Sequence, residues 1–222
     1  MSRSPLEAVI VFHVGPVAIT GSVITTWILM MALLLASFVV TRHLEMIPSG
    51  VQAITETFID GIEQQIRGIV NREPAEFLPL LGTLFIFLVT ANLSALVPGV
   101  RAPTASIETP AALAAIVFFS VHVFGVKRNG LGGYLKNYLK PNPFLLPLNI
   151  LSEFTRTFSL MMRLFGNIMS DELVIAIVVT LAGLMVPIPF MAFEIFVGLI
   201  QAYIFTVLAA VYIGGAIGSI EK

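Results

Sequence analysis

The stretch SLMMRLFGNIMSDELV, residues Ser159–Val174, places an arginine and two carboxylates inside a long apolar run. The run extends over 43 residues from Phe144 to Val186, which is about 65 Å as one helix. The hydrocarbon core of a bilayer is about 30 Å thick. A helix of this length therefore has to tilt strongly, bend or break.

The composition assigns the chain to the membrane proteins. Of its 222 residues, 57% are hydrophobic and 11% are charged, whereas a soluble domain has about 25% charged residues. The net charge of −1 indicates neither nucleic acid nor an acidic substrate as a partner. The absence of cysteine excludes disulfides, thiolate metal sites and thiol catalysis. Without a GxxxxGK[ST] phosphate loop or a GxGxxG motif, any nucleotide has to be held by another chain. Without HExxH or GxSxG we see no active site for covalent chemistry, and we expect no cofactor and no metal site on this chain.

Apolar runs predict an all-α membrane protein with about five membrane-embedded helices in one membrane domain over residues 1–222. The predicted segments are an N-terminal extension at 1–19, spans at 20–41, 77–97 and 111–126, and a region at 144–220. Lys127 and Arg128 close the third span. The VPIP sequence at 186–189 divides the last region, because two prolines disrupt a helix. We therefore expect residues 144–220 to form a long tilted hairpin.

An amphipathic helix is predicted at 47–70. Its apolar residues at 51, 54, 58, 62, 66 and 69 form one helical stripe, and its charged residues fall elsewhere. Such a helix lies in the membrane surface or packs on a partner subunit. The two alternatives are compatible, and we favour the surface.

The distribution of Lys and Arg predicts the orientation. Two groups of basic residues fall in loops on the same side: Arg42, Arg67 and Arg72, and then Lys127, Arg128, Lys136 and Lys140. Because short cytoplasmic loops are enriched in Lys and Arg, that side is cytoplasmic. The N-terminus is then outside and the C-terminal IEK inside, although Arg3 conflicts with this orientation.

Helical geometry separates the charges of the first half of the hairpin. Arg156 and Arg163 are seven residues apart and share a face, on which Asn167 and Ser170 also lie. Glu172 follows Arg163 by nine residues and points to roughly the opposite face. The helix cannot neutralise Arg163 with Glu172, whereas Glu153 can pair with Arg156. Alternatively, Arg163 reaches a lipid headgroup.

The second half of the hairpin adds Glu194 and Gln201, which are seven residues apart on one face. Ionisable residues inside a membrane are costly and mark ion pathways. Two carboxylates and an arginine in one hairpin therefore indicate an ion pathway. Asn92 and Ser94 are candidates for hydrogen bonds between helices.

Two motifs, SLMMRLFGNIMSDEL and IQAYIFTVLAAVYIG, closely resemble subunit a of F-type ATP synthases, as does LVTANLSALVPG. The similarity covers residues from about Ile47 to Gly215, and LLPLNILSEFTRTFSLMMRLFGNIMSDEL with VPIP is most similar to the cyanobacterial and plastid branch. The resemblance implies a stationary ion channel beside a rotating ring of c subunits, in a hetero-oligomeric complex with peripheral-stalk b subunits and surrounding lipid. Ion flow through two half-channels would drive rotation for ATP synthesis.

The resemblance also implies residue roles. Arg163 matches the arginine between the half-channels, Glu172 and Glu194 match half-channel carboxylates, and Asn167 and Gln201 match polar neighbours of the arginine. Asp171 occupies a position that varies in the family. Glu153, Arg156 and Ser170 are candidates for a polar pathway on the cytoplasmic side.

The transported ion is a proton by default, with sodium as the alternative. The expected location is a bacterial inner membrane, with the thylakoid membrane as the alternative. Two other functions remain open at this point. One is a self-contained secondary transporter with its site in the 144–220 hairpin, although no inverted repeat is visible. The other is a structural subunit whose charges serve assembly.

Overall fold

The computed structural model describes residues 10–14, 17–42, 50–70, 74–97, 100, 102–138, 144, 146–182 and 187–218. Several sequence predictions fall wholly or partly outside these residues. They are the first nine residues of the extension, residues 47–49 of the amphipathic helix, Val186 of VPIP, the basic residues Arg3, Arg72 and Lys140, and the C-terminal IEK.

Six α-helices form the described part of the chain, after a short β-hairpin. The strands are β1 (Ile10–Val14) and β2 (Val17–Thr20), and the helices are α1 (Gly21–Thr41), α2 (Val51–Val70), α3 (Leu78–Leu93), α4 (Glu108–Tyr138), α5 (Leu146–Ala182) and α6 (Pro187–Ile217). Short 3₁₀ helices lie at Pro74–Glu76, Ser94–Leu96 and Pro103–Ala105.

Five of the described helices, all except α2, are long and apolar enough to cross a membrane. This confirms the prediction of an all-α membrane protein. The helix α5 is continuous over its 37 residues, about 56 Å, so within that range the long apolar run does not break. Its tilt stays a prediction.

The β-hairpin was not predicted. Its strands pair antiparallel, with Val14 opposite Val17 and Ile10 opposite Thr20. The local signal was present, because β-branched residues flank the Gly15-Pro16 turn sequence. We had taken these residues only as part of an extension, since the apolar run is too short to span.

The helix α4 extends past the predicted end at residue 126. Charged Lys127 and Arg128 mark the end of its apolar part, and the first helical part of α4 ends directly after them at Gly130, beyond which a second helical part runs to Tyr138. Gly130, with φ 67° and ψ 160°, interrupts the helical geometry. A Cβ on Gly125 would lie 2.5 Å from the ring of Tyr134, although nine residues of straight helix would span about 13.5 Å. The chain therefore turns sharply at Gly130.

The chain packs as two compact units. Unit 1 comprises Met1–Leu44, Phe85–Pro110 and Arg163–Tyr203, and unit 2 comprises Glu45–Leu84, Ala111–Met162 and Ile204–Lys222. The prediction of one domain over the whole chain stays a prediction.

In unit 1, two hydrogen bonds connect the start of α1 to the start of α4. Thr20 Oγ1 donates to Glu108 Oε2 at 3.0 Å, and the hydroxyls of Thr26 and Thr109 lie 3.4 Å apart. Most of the remaining side chains of α1 are exposed, Val39 by 69%. An apolar helix with this exposure is suited to lipid or to another subunit.

In unit 2, α2 divides its apolar stripe between two environments. Ile62, Ile66 and Val70 are buried within the chain, whereas Ile54 and Phe58 are exposed. The C-terminal half of α2 therefore packs on its own chain, and the apolar surface of the N-terminal half remains available to the membrane or to a partner.

We expect Gly130→Ala to destabilise the fold, because a side chain strains the positive-φ backbone by about 1–3 kcal/mol. Thermal unfolding of the purified protein in detergent measures the loss. The matched control is Gly132→Ala, because no neighbouring atom lies within 4 Å of its added Cβ and its φ is ordinary. Equal unfolding midpoints for the two variants would contradict the assigned turn.

Candidate functional site

Arg163 lies on α5 with its side chain exposed. Among the residues that the structure describes, the guanidinium has no hydrogen-bonding or ion-pair partner. The sequence prediction that Glu172 does not neutralise it agrees with this geometry. Arginine stays protonated at any relevant pH, so the charge has to be compensated by water, lipid or another protein.

The carboxylates form a separate group on α5 and α6. Glu194 is 6% exposed, and it interacts electrostatically with Asp171 and Glu172. The atom Asp171 Oδ2 is buried and has no hydrogen-bonding partner in the described part of the chain. Asp171 and Glu172 therefore both lie within electrostatic range of Glu194, and these are three of the four acidic candidates from the sequence, Glu153 being the fourth.

A direct hydrogen bond joins the two helices of the hairpin. Asn167 Nδ2 donates to Gln201 Oε1 at 2.7 Å, between residues 34 positions apart in the chain. Gln201 is 2% exposed, and its Nε2 is buried without a partner in the described residues. Buried polar atoms of this kind are usually satisfied by protein or water. The pair therefore joins α5 to α6, and the Nε2 group of Gln201 can still donate a hydrogen bond to water.

A second polar contact holds α3 against α6. Asn92 Nδ2 donates to the carbonyl of Gly198 at 2.8 Å, and Thr104 Oγ1 donates to Asn92 Oδ1 at 3.1 Å. A Cβ on Gly198 would lie 3.0 Å from Asn92 Cβ, so a residue without a side chain permits this approach. The prediction for Asn92 is confirmed, but Ser94 bonds locally to the carbonyl of Ala91. Sequence reasoning missed Thr104 and Gly198, because neither stands out by charge or periodicity.

The candidates for the cytoplasmic-side pathway do not pair as expected. The guanidinium of Arg156 lies over the ring of Tyr212, 5.5 Å from its centroid, and the described residues contain no ion pair between Arg156 and Glu153. Glu153 is half-buried, and Ser170 is exposed. The cation–π contact was not visible in the sequence, since Tyr212 is 56 positions from Arg156.

A cavity of about 400 Å³ lies beside Arg156 in unit 2. Three hydroxyl-bearing residues line it together with Arg156 and Tyr212: Ser152, Thr155 and Ser159. Such a surface accommodates water at this level of the helix. The described part of the chain contains no group of three or more histidine or acidic residues that could hold a metal ion.

Comparison with known proteins identifies the family. The family model described as ATP synthase A chain matches residues 23–214. The chain belongs to this family. It is 61% identical to ATP synthase subunit a 2 of Bradyrhizobium sp. over the full length of both chains. It is 46% identical to ATP synthase subunit a 1 of Hahella chejuensis, over 92% of this chain and 87% of the relative.

The resemblance to subunit a is thereby confirmed, and cyanobacterial proteins are among the relatives. One of them, ATP synthase subunit a 2 of Picosynechococcus sp., is 42% identical over 97% of this chain and 94% of its own. Family membership and the apolar helices support a role in the membrane sector of an F-type ATP synthase, with ATP synthesis and ion transport as its processes. That enzyme is a hetero-oligomeric complex.

We expect Asn92→Ala to lower the free energy of unfolding by about 1–3 kcal/mol, because it leaves buried polar groups without their partner. The midpoint of thermal unfolding of the purified complex reports this loss. Thr90→Ala is the matched control, since the Thr90 hydroxyl bonds only to the carbonyl of Ile86 on its own helix, and we expect it to cost about 0.5 kcal/mol or less. If both variants unfold at the same temperature, Asn92 does not hold α3 against α6.

Proposed function

We propose that this chain is the stationary ion channel of a rotary ATP synthase. It would conduct protons, or sodium ions, through two half-channels to and from carboxylates on a ring of c subunits. The observation that carries the proposal is an exposed Arg163, without a partner among the residues that the structure describes, on a helix suited to span the membrane. A charge at that depth costs from about 2.5 to more than 10 kcal/mol, so the helix needs an external counter-charge.

A ring carboxylate supplies that counter-charge. An approaching carboxyl group next to a permanent guanidinium is favoured in its ionised form. Arg163 therefore promotes release of the ion that the carboxyl group carried. The same positive charge repels cations and prevents a direct leak between the two half-channels. One charge that crosses 100 mV releases about 2.3 kcal/mol, which biases the rotation of the ring.

The acidic residues of α5 and α6 form part of one half-channel. Glu194, Glu172 and Asp171 attract cations and exchange protons. Glu172 lies on roughly the opposite face of α5 from Arg163, and Glu194 lies on α6. The buried, unpaired atoms Asp171 Oδ2 and Gln201 Nε2 support hydration of this region. We assign these residues to the half-channel that opens on the outer side.

The hydroxyl-lined cavity at Arg156 supports a polar route on the cytoplasmic side. Glu153 and Ser170 remain candidates for this route. In this arrangement the N-terminus lies outside and the C-terminus in the cytoplasm of a bacterial inner membrane, or correspondingly in a thylakoid membrane. The peripheral-stalk b subunits and lipid cover other surfaces of the chain.

We expect Arg163→Ala to abolish ATP synthesis in an assembled complex. Loss of one partner of a buried charge pair costs about 3–5 kcal/mol, which corresponds to a fall in rate of about two to four powers of ten. We expect Arg163→Lys to be nearly as severe, because lysine lacks the planar guanidinium. Synthesis in energised proteoliposomes measures both effects.

Arg42→Ala is the control, because Arg42 lies at the end of α1 against the ring of Phe38 and is exposed. It should leave synthesis near the wild-type rate. Near-normal synthesis with Arg163→Ala would overturn the channel proposal. Loss of the complex itself would indicate an assembly role, and substrate uptake by the purified chain alone would indicate a secondary transporter.

We expect Glu194→Gln to slow passive ion conduction through the membrane sector by about tenfold or more, because a positioned proton-transferring group contributes about 10²–10⁴-fold. Fluxes of protons and of sodium measured separately in vesicles also identify the transported ion, since only its flux should fall. The control is Glu56→Gln, whose exposed carboxylate accepts a hydrogen bond from Gln52 on α2. Equal conduction in the two variants would remove Glu194 from the pathway.

A further inference from the structure

Unit 2 contains a cavity of about 450 Å³ that the ion pathway does not use. Three parts of the chain form its walls: the residues just before α3, the end of the apolar part of α4, and the end of α6. Its lining residues are Ala75, Glu76, Phe77, Phe124, Lys127, Arg128 and Ile217.

The polar part of this cavity has a net positive charge. Lys127 Nζ lies 3.6 Å from Glu76 Oε1, an ion pair that is largely exposed. Arg128 is exposed and has no ion-pair or hydrogen-bonding partner among the described residues. Two cations against one carboxylate leave one positive charge, and the group free to bind an anion is the guanidinium of Arg128, which forms bidentate contacts with phosphate.

The rest of the lining is apolar. Phe77 is 4% exposed and packs edge-on against Phe124 with the ring centroids 5.0 Å apart. Ile217 is also buried, at 5% exposed, so the apolar surface that the lining presents to the cavity is mainly the half-buried ring of Phe124. The cavity thus combines an anion-binding mouth with a surface for hydrocarbon, which is the chemistry of a phospholipid rather than of a free anion.

Local contacts keep the cavity walls together. Asn129 Nδ2, next to Arg128, donates to the carbonyl of Ala216, next to Ile217, at 3.1 Å. The turn at Gly130 brings Tyr134 against Gly125, one residue from Phe124. A hydrogen bond and a packing contact within unit 2 therefore position the basic and the apolar lining residues.

We propose that this cavity binds one anionic phospholipid. Its phosphate contacts Arg128 and Lys127, and one acyl chain lies against the half-buried ring of Phe124. A volume of about 450 Å³ holds a headgroup, but it does not admit a partner helix, which is about 10–12 Å across. Basic pockets between membrane helices are suited to such headgroups.

Native mass spectrometry of the detergent-solubilised ATP synthase complex that contains this chain tests the proposal. Titration with phosphatidylglycerol and with zwitterionic phosphatidylcholine should show tighter binding of the anionic lipid. Arg128→Gln should weaken phosphatidylglycerol binding about fivefold, as expected for one basic group near a membrane surface. Glu76→Gln should strengthen it by a similar factor, because the variant removes the carboxylate that competes for Lys127.

Arg42→Gln is the matched control, an exposed arginine outside the cavity, and it should leave the affinity unchanged. An excess of glycerol 3-phosphate should not displace the lipid, because it lacks acyl chains. Displacement by glycerol 3-phosphate, equal binding of phosphatidylcholine, or unchanged phosphatidylglycerol affinity in both cavity variants would each overturn the proposal. None of these readouts depends on Arg163 or on ion flow, so they separate this proposal from the proposed function.

Discussion

A guanidinium on a membrane-spanning helix has to be compensated, because neither lipid nor a neutral pH removes its charge. The described part of the chain offers Arg163 no partner, and the nearest carboxylate in its helix, Asp171, belongs to a different cluster. The arrangement is costly for an isolated chain and reasonable in a complex. This cost is the reason for our proposal that a carboxylate on another subunit compensates Arg163.

The polar contacts of the hairpin keep that arrangement stable. The bond between Asn167 and Gln201 fixes the register of α5 and α6, and the bond from Asn92 to the Gly198 carbonyl holds α3 against the same segment of α6. In the same two helices, Asp171 and Glu172 lie within electrostatic range of Glu194. Amide side chains are suited to this task, because they bond across helices without adding a charge to the ion pathway.

Charge compensation is also incomplete in unit 2, at the end of the apolar part of α4. There Lys127 pairs with Glu76, while Arg128 has no carboxylate partner in the described part of the chain. The turn at Gly130 follows directly and returns the chain against α4. The end of the apolar part of α4 is thus held in place by an ion pair and a turn.

Local patterns in the sequence determined the fold class, the five apolar helices and the opposition of Arg163 and Glu172, since hydropathy and helical periodicity depend on neighbouring residues. Tertiary structure alone decided which distant side chains meet, such as Asn92 with Gly198, 106 positions apart, and Arg156 with Tyr212 in place of Glu153. It also decided that α4 continues past Lys127 and Arg128 and turns at Gly130. These outcomes depend on which helix faces pack together and on the interaction energy with each possible partner. The periodicity of the sequence along one helix carries no information about either.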